Sequence, residues 1–338
     1  MPRRDVVVIG ASAGGLEALR RLVARLPADL PASVLVAVHL APTAPSRLAE
    51  VLGKAGPLPA APAVSGERMR HGRIYTAVPD RHLLIGADDV LQLGRGPREN
   101  RVRPAVDALL RAAARRCGPR VIGVVLSGSL DDGAAGLAAV AQRGGIGLVQ
   151  QPDDAKFDGM PRAALQAVPE AMVLPAARLG QAIAKLVDEP VEPVDTGPDD
   201  GLVWETDMSA HGYSDSEQPG TPVGLGCPEC SGGMQMVETG SALHYVCHAG
   251  HSYSPQTLLA ARDDGIEQAV WTAISALQEK ATVLRQLAHR ADQVGDDAGH
   301  AHHHGAAQYA LHAAGLLREQ VMGERTGAAV GPGGAGGV

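Results

Sequence analysis

Val6-Val7-Val8-Ile9, running into Gly10-Ala11-Ser12-Ala13-Gly14-Gly15, is the stretch whose reading decides the fold. Four β-branched residues bounded by glycine read as a strand buried on both faces. Leu16, Leu19, Leu22, Val23 and Leu26 then recur at helical spacing, so the glycine-rich residues between form a strand-to-helix turn. Ser12 falls at the carboxyl end of the strand, beside the positive helix N-terminus. A serine so placed is either a nucleophile or part of an anion cradle.

Working outward, Ser33–Val38 is a second buried strand with His39 at its carboxyl end, and Val121–Leu126 a third. The third leads into Ser127-Gly128-Ser129-Leu130-Asp131-Asp132-Gly133 and an alanine-rich helix. Ile146–Val149 is a fourth strand, Pro161 opens a helix, and Val173-Leu174 is a last short strand before a helix over 176–187. Residues 73–77, 82–85 and 90–93 read as short strands of a local antiparallel excursion. Buried strands alternating with helices predict an α/β domain: a doubly wound, mostly parallel sheet in a Rossmann-like three-layer sandwich.

In such a sheet, catalytic groups gather at the carboxyl ends of the strands. Ser12, His39 and Asp132 all fall there, on loops leaving three different strands. A serine nucleophile needs a base to take its proton, and the base needs a carboxylate to fix its tautomer. These are the parts of an acyl-transfer site, with the backbone N–H groups of Ala13 and Ser129 as candidate oxyanion donors. Three blander readings compete. A dinucleotide fingerprint would call for an acid at the end of the second strand, where the chain has His39. An α/β-hydrolase elbow would call for the order Ser, acid, His, and here His39 precedes Asp132. The third makes His39 and Asp132 polar rim residues.

Residues 5–187 resemble the catalytic domain of the chemotaxis protein-glutamate methylesterases. The matching pieces are Ile9-Gly-Ala-Ser-Ala-Gly-Gly15, Val38-His39, Arg103-Pro-Ala-Val-Asp107, Leu126-Ser-Gly-Ser-Leu-Asp-Asp-Gly133 and Gly159-Met-Pro161. The resemblance implies hydrolysis of glutamyl methyl esters on methyl-accepting chemoreceptors and deamidation of receptor glutamines. Ser12 would be the nucleophile, His39 the base and Asp132 its orienting acid, with no cofactor for catalysis. The alternative is a catalytically idle signalling scaffold that uses the fold as a docking platform. The chain departs from the family at Gly128-Ser129-Leu130, where the usual pattern is Gly-Met-Gly. It also begins at the first catalytic strand, so control by a preceding receiver domain is expected to be absent.

Beyond the catalytic half, Cys227-x2-Cys230, sixteen residues, then Cys247-x3-His251 has the spacing of a four-ligand structural zinc site. His244 and His248 are competing ligands, and free cytosolic thiols are the alternative to a metal. Cys117 reads as inert. His300, His302, His303 and His304 read as a solvated loop, with a transition-metal site as the alternative.

The bulk numbers bound the class. The chain has 338 residues, 45% of them hydrophobic and only 2% aromatic, so its cores must be built from Ala, Val and Leu. No run reaches membrane-spanning length and no secretory signal is evident, so the cytoplasm is expected, with no membrane insertion and no nucleic-acid partner. The net charge of −7 conceals 24 Lys and Arg against 16 Asp and Glu in residues 1–187, and 6 against 21 in 188–338. Such halves suit different partners, or each other. The expected organisation is a catalytic domain over 1–187, an acidic linker over 188–222, and a Cys/His module over 223–255. A coiled-coil-like helical region over 256–322 and a disordered tail over 323–338 complete it. The helical seam is read as Ile266, Val270, Ala273, Leu277, Leu284, Leu287 and Ala291, a docking face for a chemotaxis methyltransferase or another signalling partner. The acidic linker and the helical module are expected to occlude the basic Ser12 rim in part and so gate it, with a solvating spacer as the alternative.

Overall fold

The computed structural model describes residues 2–43, 45–187, 189–192 and 199–327, and forms two compact units, Met1–Leu258 and Leu259–Val338. In the first, β1 (Val6–Ala11) lies at the centre of a seven-stranded sheet. Its neighbours are β2 (Ser33–Val38) and β7 (Val121–Val125), both parallel to it. β3 (Ala60–Pro62) and β4 (Arg73–Thr76) extend the sheet beyond β2. β8 (Ile146–Gln150) and β9 (Met172–Leu174) extend it beyond β7. β5 (His82–Ile85) and β6 (Leu91–Gly94) pair antiparallel outside the sheet. The expected antiparallel excursion is therefore only this hairpin, because 73–76 joins the parallel sheet beside β2.

Alternation along β1 splits the core into two layers. Val6 and Val8 face one cluster with Leu109, Leu110 and Leu137, under α3 (Val106–Cys117), α4 (Ala134–Gln142) and α5 (Gly159–Ala167). Val7 and Ile9 face the other with Leu19, Leu52 and Leu179, under α1 (Gly15–Val23), α2 (Leu48–Ala55) and α6 (Ala176–Leu186). The chain winds outward through β2 and then restarts on the opposite side with β7. The crevice between β1 and β7 is thus the topological switch point, where ligands bind in such sheets. Gly10 permits this packing: a Cβ there would strike the Val106 side chain of α3.

The linker reading is corrected over 199–222. Residues Asp200–His211 form α7, capped by the Asp199 carboxylate accepting from Leu202 N–H at 2.9 Å. Three acids of the segment face arginines of the catalytic half. Glu205 faces Arg111 at 3.7 Å, Asp207 faces Arg115 at 2.6 Å, and Asp199 faces Arg143 at 3.6 Å. The acidic segment thus meets the basic half of its own chain at α3 and Arg143. Residues 188 and 193–198 lie outside the described residues. The Cys/His segment is likewise no separate domain. β10 (Thr221–Gly226), β11 (Gly233–Thr239), β12 (Ala242–Cys247) and β13 (Ser252–Tyr253) form an antiparallel sheet. Ala242 of this sheet and Leu202 of α7 belong to the same core cluster as Val8 and Leu110.

α8 (Pro255–Gln293) carries the chain into the second unit, where it pairs with α9 (Asp297–Gly327). Ala281 of α8 is fully buried against Ala307 and Ala310 of α9, with Leu277, Leu284 and Leu311 beside them. The buried stripe of α8 is Ile274, Leu277, Ala281, Leu284, Ala288 and Ala291. Only three expected seam positions are kept, and Ile266 and Leu287 are exposed. Small alanines let two helices approach closely, and that places Ala281 and Ala288 in the stripe ahead of the bulkier Lys280 and Leu287 beside them, with Ile274 buried in place of Ala273. His300, His302, His303 and His304 lie inside α9 rather than in a loop, because the turn falls at Gly295 (φ 76°) and the Asp296 carboxylate caps Gly299 N–H. The helix also runs to Gly327, correcting the first residues of the expected tail; 328–338 lie outside the described residues.

Candidate active site

Ser12, His39 and Asp132 converge. The Ser12 hydroxyl lies 2.8 Å from His39 Nδ1, and His39 Nε2 lies 2.6 Å from Asp132 Oδ2. An ionised carboxylate only accepts, so the proton between them sits on Nε2. The Nδ1 lone pair is then left facing the serine. The His39 side chain is 21% exposed and that of Asp132 only 3%, so the site is open at the serine and closed at the acid.

Each side chain is placed by a strand end. The turn after β1 is tied to the loop after β7: Ser12 N–H donates to the Ser127 carbonyl at 2.9 Å, and the Ser127 hydroxyl to the Ala13 carbonyl at 2.8 Å. Gly14 adopts φ 71° to admit α1. His39 follows β2 directly, its N–H bonded to Ala11 O. Asp132 accepts from Val106 N–H at 2.7 Å, Asp107 N–H at 3.0 Å and Asn100 Nδ2 at 3.1 Å, besides His39. Burial alone would push its carboxyl up. The His39 hydrogen bond and charge, with the two N–H groups at the start of α3, outweigh burial and hold it well below the usual carboxylate range. Asp107, equally buried, shifts the other way, because burial and the neighbouring Asp132 charge both raise it.

Ala13 and Ser129 flank the serine on the two facing loops, and their N–H groups have no protein partner among the described residues. Gly128 packs against Ser12 and the buried Met160, and Met160 N–H is bonded to Gly128 O at 2.9 Å. Leu130, where the resembled family has glycine, takes φ 61° and leaves its side chain 46% exposed.

Cys227, Cys230, Cys247 and His251 also converge, their ligand atoms all lying within 4.8 Å of one another. Cys230 and Cys247 sulfurs are 3.6 Å apart, and Cys247 Sγ is 3.5 Å from His251 Nδ1. A tetrahedral zinc with bonds of about 2.3 Å requires sulfurs roughly 3.8 Å apart, so the donor set fits. His251 Nε2 faces the Glu229 carboxylate at 3.3 Å, the partner that orients a metal-bound imidazole. The competing ligands fall away. His244 is buried against Glu205 at 2.6 Å, and His248 is exposed outside the cluster. Cys117 is buried and pushed up to about 12 by burial, which suits an inert thiol.

Asn100 and Ser127 are site residues that sequence reasoning missed. Asn100 stands just before the Arg103-Pro-Ala-Val-Asp107 motif, and Ser127 opens the loop that bears Asp132. Their place beside or inside a recognised motif is the one hint the sequence holds, and it does not reveal their partners.

A family model described as CheB methylesterase matches residues 7–183. The chain is 35% identical over 189 residues to a protein-glutamate methylesterase/protein-glutamine glutaminase of Symbiobacterium thermophilum, covering 56% of this chain and 52% of that one. A protein of the same name from Chromohalobacter salexigens is 41% identical over 165 residues, covering 48% and 46%. The chain spans about half the length of these curated relatives. A shorter relative from Leptospira interrogans is 31% identical over 182 residues, 54% of this chain and 94% of its own length. Among solved structures, the Thermotoga maritima CheB methylesterase catalytic domain is similar with a TM-score of 0.53 and 32% identity, covering 54% of this chain and 98% of that one.

Proposed function

The chain belongs to the CheB methylesterase family, and on that premise we propose that it hydrolyses glutamyl methyl esters on methyl-accepting chemoreceptors and deamidates receptor glutamines. The observation that carries this reading is the unbroken path from the Ser12 hydroxyl through the His39 ring to the Asp132 carboxylate. Ser12 Oγ attacks the ester carbonyl while its proton passes to His39 Nδ1, and Asp132 stabilises the imidazolium so formed. The carbonyl electron pair moves onto oxygen, which the Ala13 and Ser129 N–H groups, without protein partners among the described residues, would stabilise. Collapse of that intermediate releases methanol, which takes the proton from His39. Water then enters by the same route, leaving a free glutamate and the serine restored. For a glutamine side chain the leaving group is ammonia.

The open serine and recessed acid suit a side chain presented on another protein's surface. We assign the enzyme to the cytoplasm, where cysteines outside disulfides, as all four here are, persist. No helix among the described residues is long and apolar enough to cross a membrane. The Cys227, Cys230, Cys247 and His251 set would hold one structural zinc, whose contribution is to fold the two knuckles rather than to react.

The test is methanol release from a methyl-labelled chemoreceptor. The full chain is expected to release it, and Ser12→Ala to lower the rate by at least about 10³-fold with the fold unchanged. Equal rates for the two proteins would refute the esterase reading.

A further inference from the structure

One buried amide joins the catalytic carboxylate to the Cys/His module. Asn100 is 8% exposed and uses both amide hydrogens and its side-chain oxygen in hydrogen bonds. Its amide hydrogens go to Asp107 Oδ2 at 3.0 Å and Asp132 Oδ1 at 3.1 Å. Its side-chain oxygen accepts from Ser254 N–H at 2.8 Å, and its own backbone N–H donates to Ser252 O at 2.7 Å. Two acceptors on one side and a donor on the other fix which end is nitrogen. Asn100 also takes φ 51°, a left-handed conformation that asparagine tolerates better than most residues.

The segment on the far side of that amide is the continuation of the metal knuckle. Ser252 follows His251 directly, and Cys247 N–H is bonded to His251 O at 3.0 Å. From the same segment, Ser254 Oγ donates to Asp131, the residue beside the catalytic acid, and Thr257 Oγ1 donates to it at 3.2 Å. Asp132 is therefore gripped twice by residues 252–257, through Asn100 and through its neighbour. Nothing in the triad itself requires this segment, which lies far beyond residue 183, where the family match ends.

We propose that Asn100 is a positioning residue for the triad, and that the Cys/His module acts through it to hold Asp132 in the orientation that serves His39. Asp132 has two oxygens and four donors. Oδ1 takes Asn100 and Asp107 N–H, while Oδ2 takes Val106 N–H and His39. Removing the Asn100 donor frees one side of the carboxylate to rotate, and the His39 bond loses its alignment. Releasing strand 252–254 by disordering the knuckle removes the partner that orients the amide, with the same consequence at longer range. The module is then a support for catalysis and not a cover over Ser12.

The inference rests on the methylesterase reading, and the experiment separates the two. It uses the full chain as wild type, Asn100→Ala, Cys230→Ala and the double variant. Two quantities are followed: methanol release from methylated receptor, and the downfield proton resonance of the His39 Nε2–H to Asp132 hydrogen bond, which needs no substrate. Asn100→Ala is expected to lower kcat by about tenfold or more with KM little changed, and to shift or broaden that resonance. Cys230→Ala is expected to move both in the same direction. The double variant should be no worse than Asn100→Ala alone, because both act on one support. If Asn100→Ala does not fold, Asn100→Gln keeps the amide but displaces it, and the same readings apply. A resonance and kcat unchanged in either single variant, or effects of the two that simply multiply, overturn the proposal. A wild-type chain that shows the resonance but releases no methanol overturns the esterase reading instead.

Discussion

Gly128 is the residue on which the nucleophile's position depends most narrowly. A Cβ there would collide with the Met160 thioether and lie 2.9 Å from Ser12 Cβ, and Met160 is fully buried and cannot retreat. Gly128→Ala is therefore expected to displace the serine against His39 and lower turnover by about 10²-fold, read as kcat on methylated receptor with the melting temperature as control. Neighbouring Leu130 shows the opposite tolerance: it holds a left-handed conformation with its side chain in solvent, so the motif's third position accepts a side chain that its first cannot. At this scale the three residues were legible, because Ser12, His39 and Asp132 each stand at or in the loop just past the carboxyl end of a continuous apolar run. Asn100 was not, since its partners, Asp132 and Ser254, lie 32 and 154 positions away.

α7 is the element whose reading changed most. Its ten-residue stock of acids with the preceding and following loops looked solvated because the cations that meet them, Arg111, Arg115 and Arg143, stand on helices read as belonging to another domain. Glu205 is held down to about 2: burial alone would raise it, but Arg111 and His244 outweigh burial. A carboxyl lowered on folding contributes stability that is complete above the unfolded value of about 4.3 and is lost as pH falls toward the folded value. Glu205→Gln is expected to cost about 1–3 kcal/mol at neutral pH, because buried His244 loses its carboxylate partner while Arg111 keeps Glu99. In a urea titration the deficit should shrink as pH falls from about 4 toward 2. The helical seam shows another limit of sequence patterning. Leu277 and Leu284 were readable, whereas the choice of Ala281 and Ala288 beside them depends on the alanines that α9 brings against α8.

For the first unit as a whole, the shared core of Val8, Leu110, Leu202 and Ala242 joins the catalytic sheet to the Cys/His sheet. Stripping metal from the full chain is thus expected to lower the melting temperature of the catalytic body too, instead of unfolding the knuckles alone. Calorimetry before and after chelation, with zinc content measured in parallel, checks both the metal and the coupling. Two well-separated transitions, the upper one unmoved, would count against it. Truncation after residue 187 should likewise reduce activity and solubility, because it strips partners from Arg111 and uncovers α3; higher activity in the truncated chain, narrowing with salt, would restore the gating view.

The bonds that complete the site span the chain very unevenly. Ser12 to His39 crosses 27 positions, His39 to Asp132 crosses 93, and Asn100 to Ser254 crosses 154. A ribosome delivers these groups in that order, nucleophile first and brace last. Contacts of such long range also form slowly in any refolding chain. On the support proposed above, the serine is synthesised before its partners, and the Asp132 carboxylate gains its full restraint only once residues 252–257 have left the exit tunnel and docked. A nascent or prematurely terminated chain would carry the whole triad in its sequence while its catalytic carboxylate still lacked its restraint.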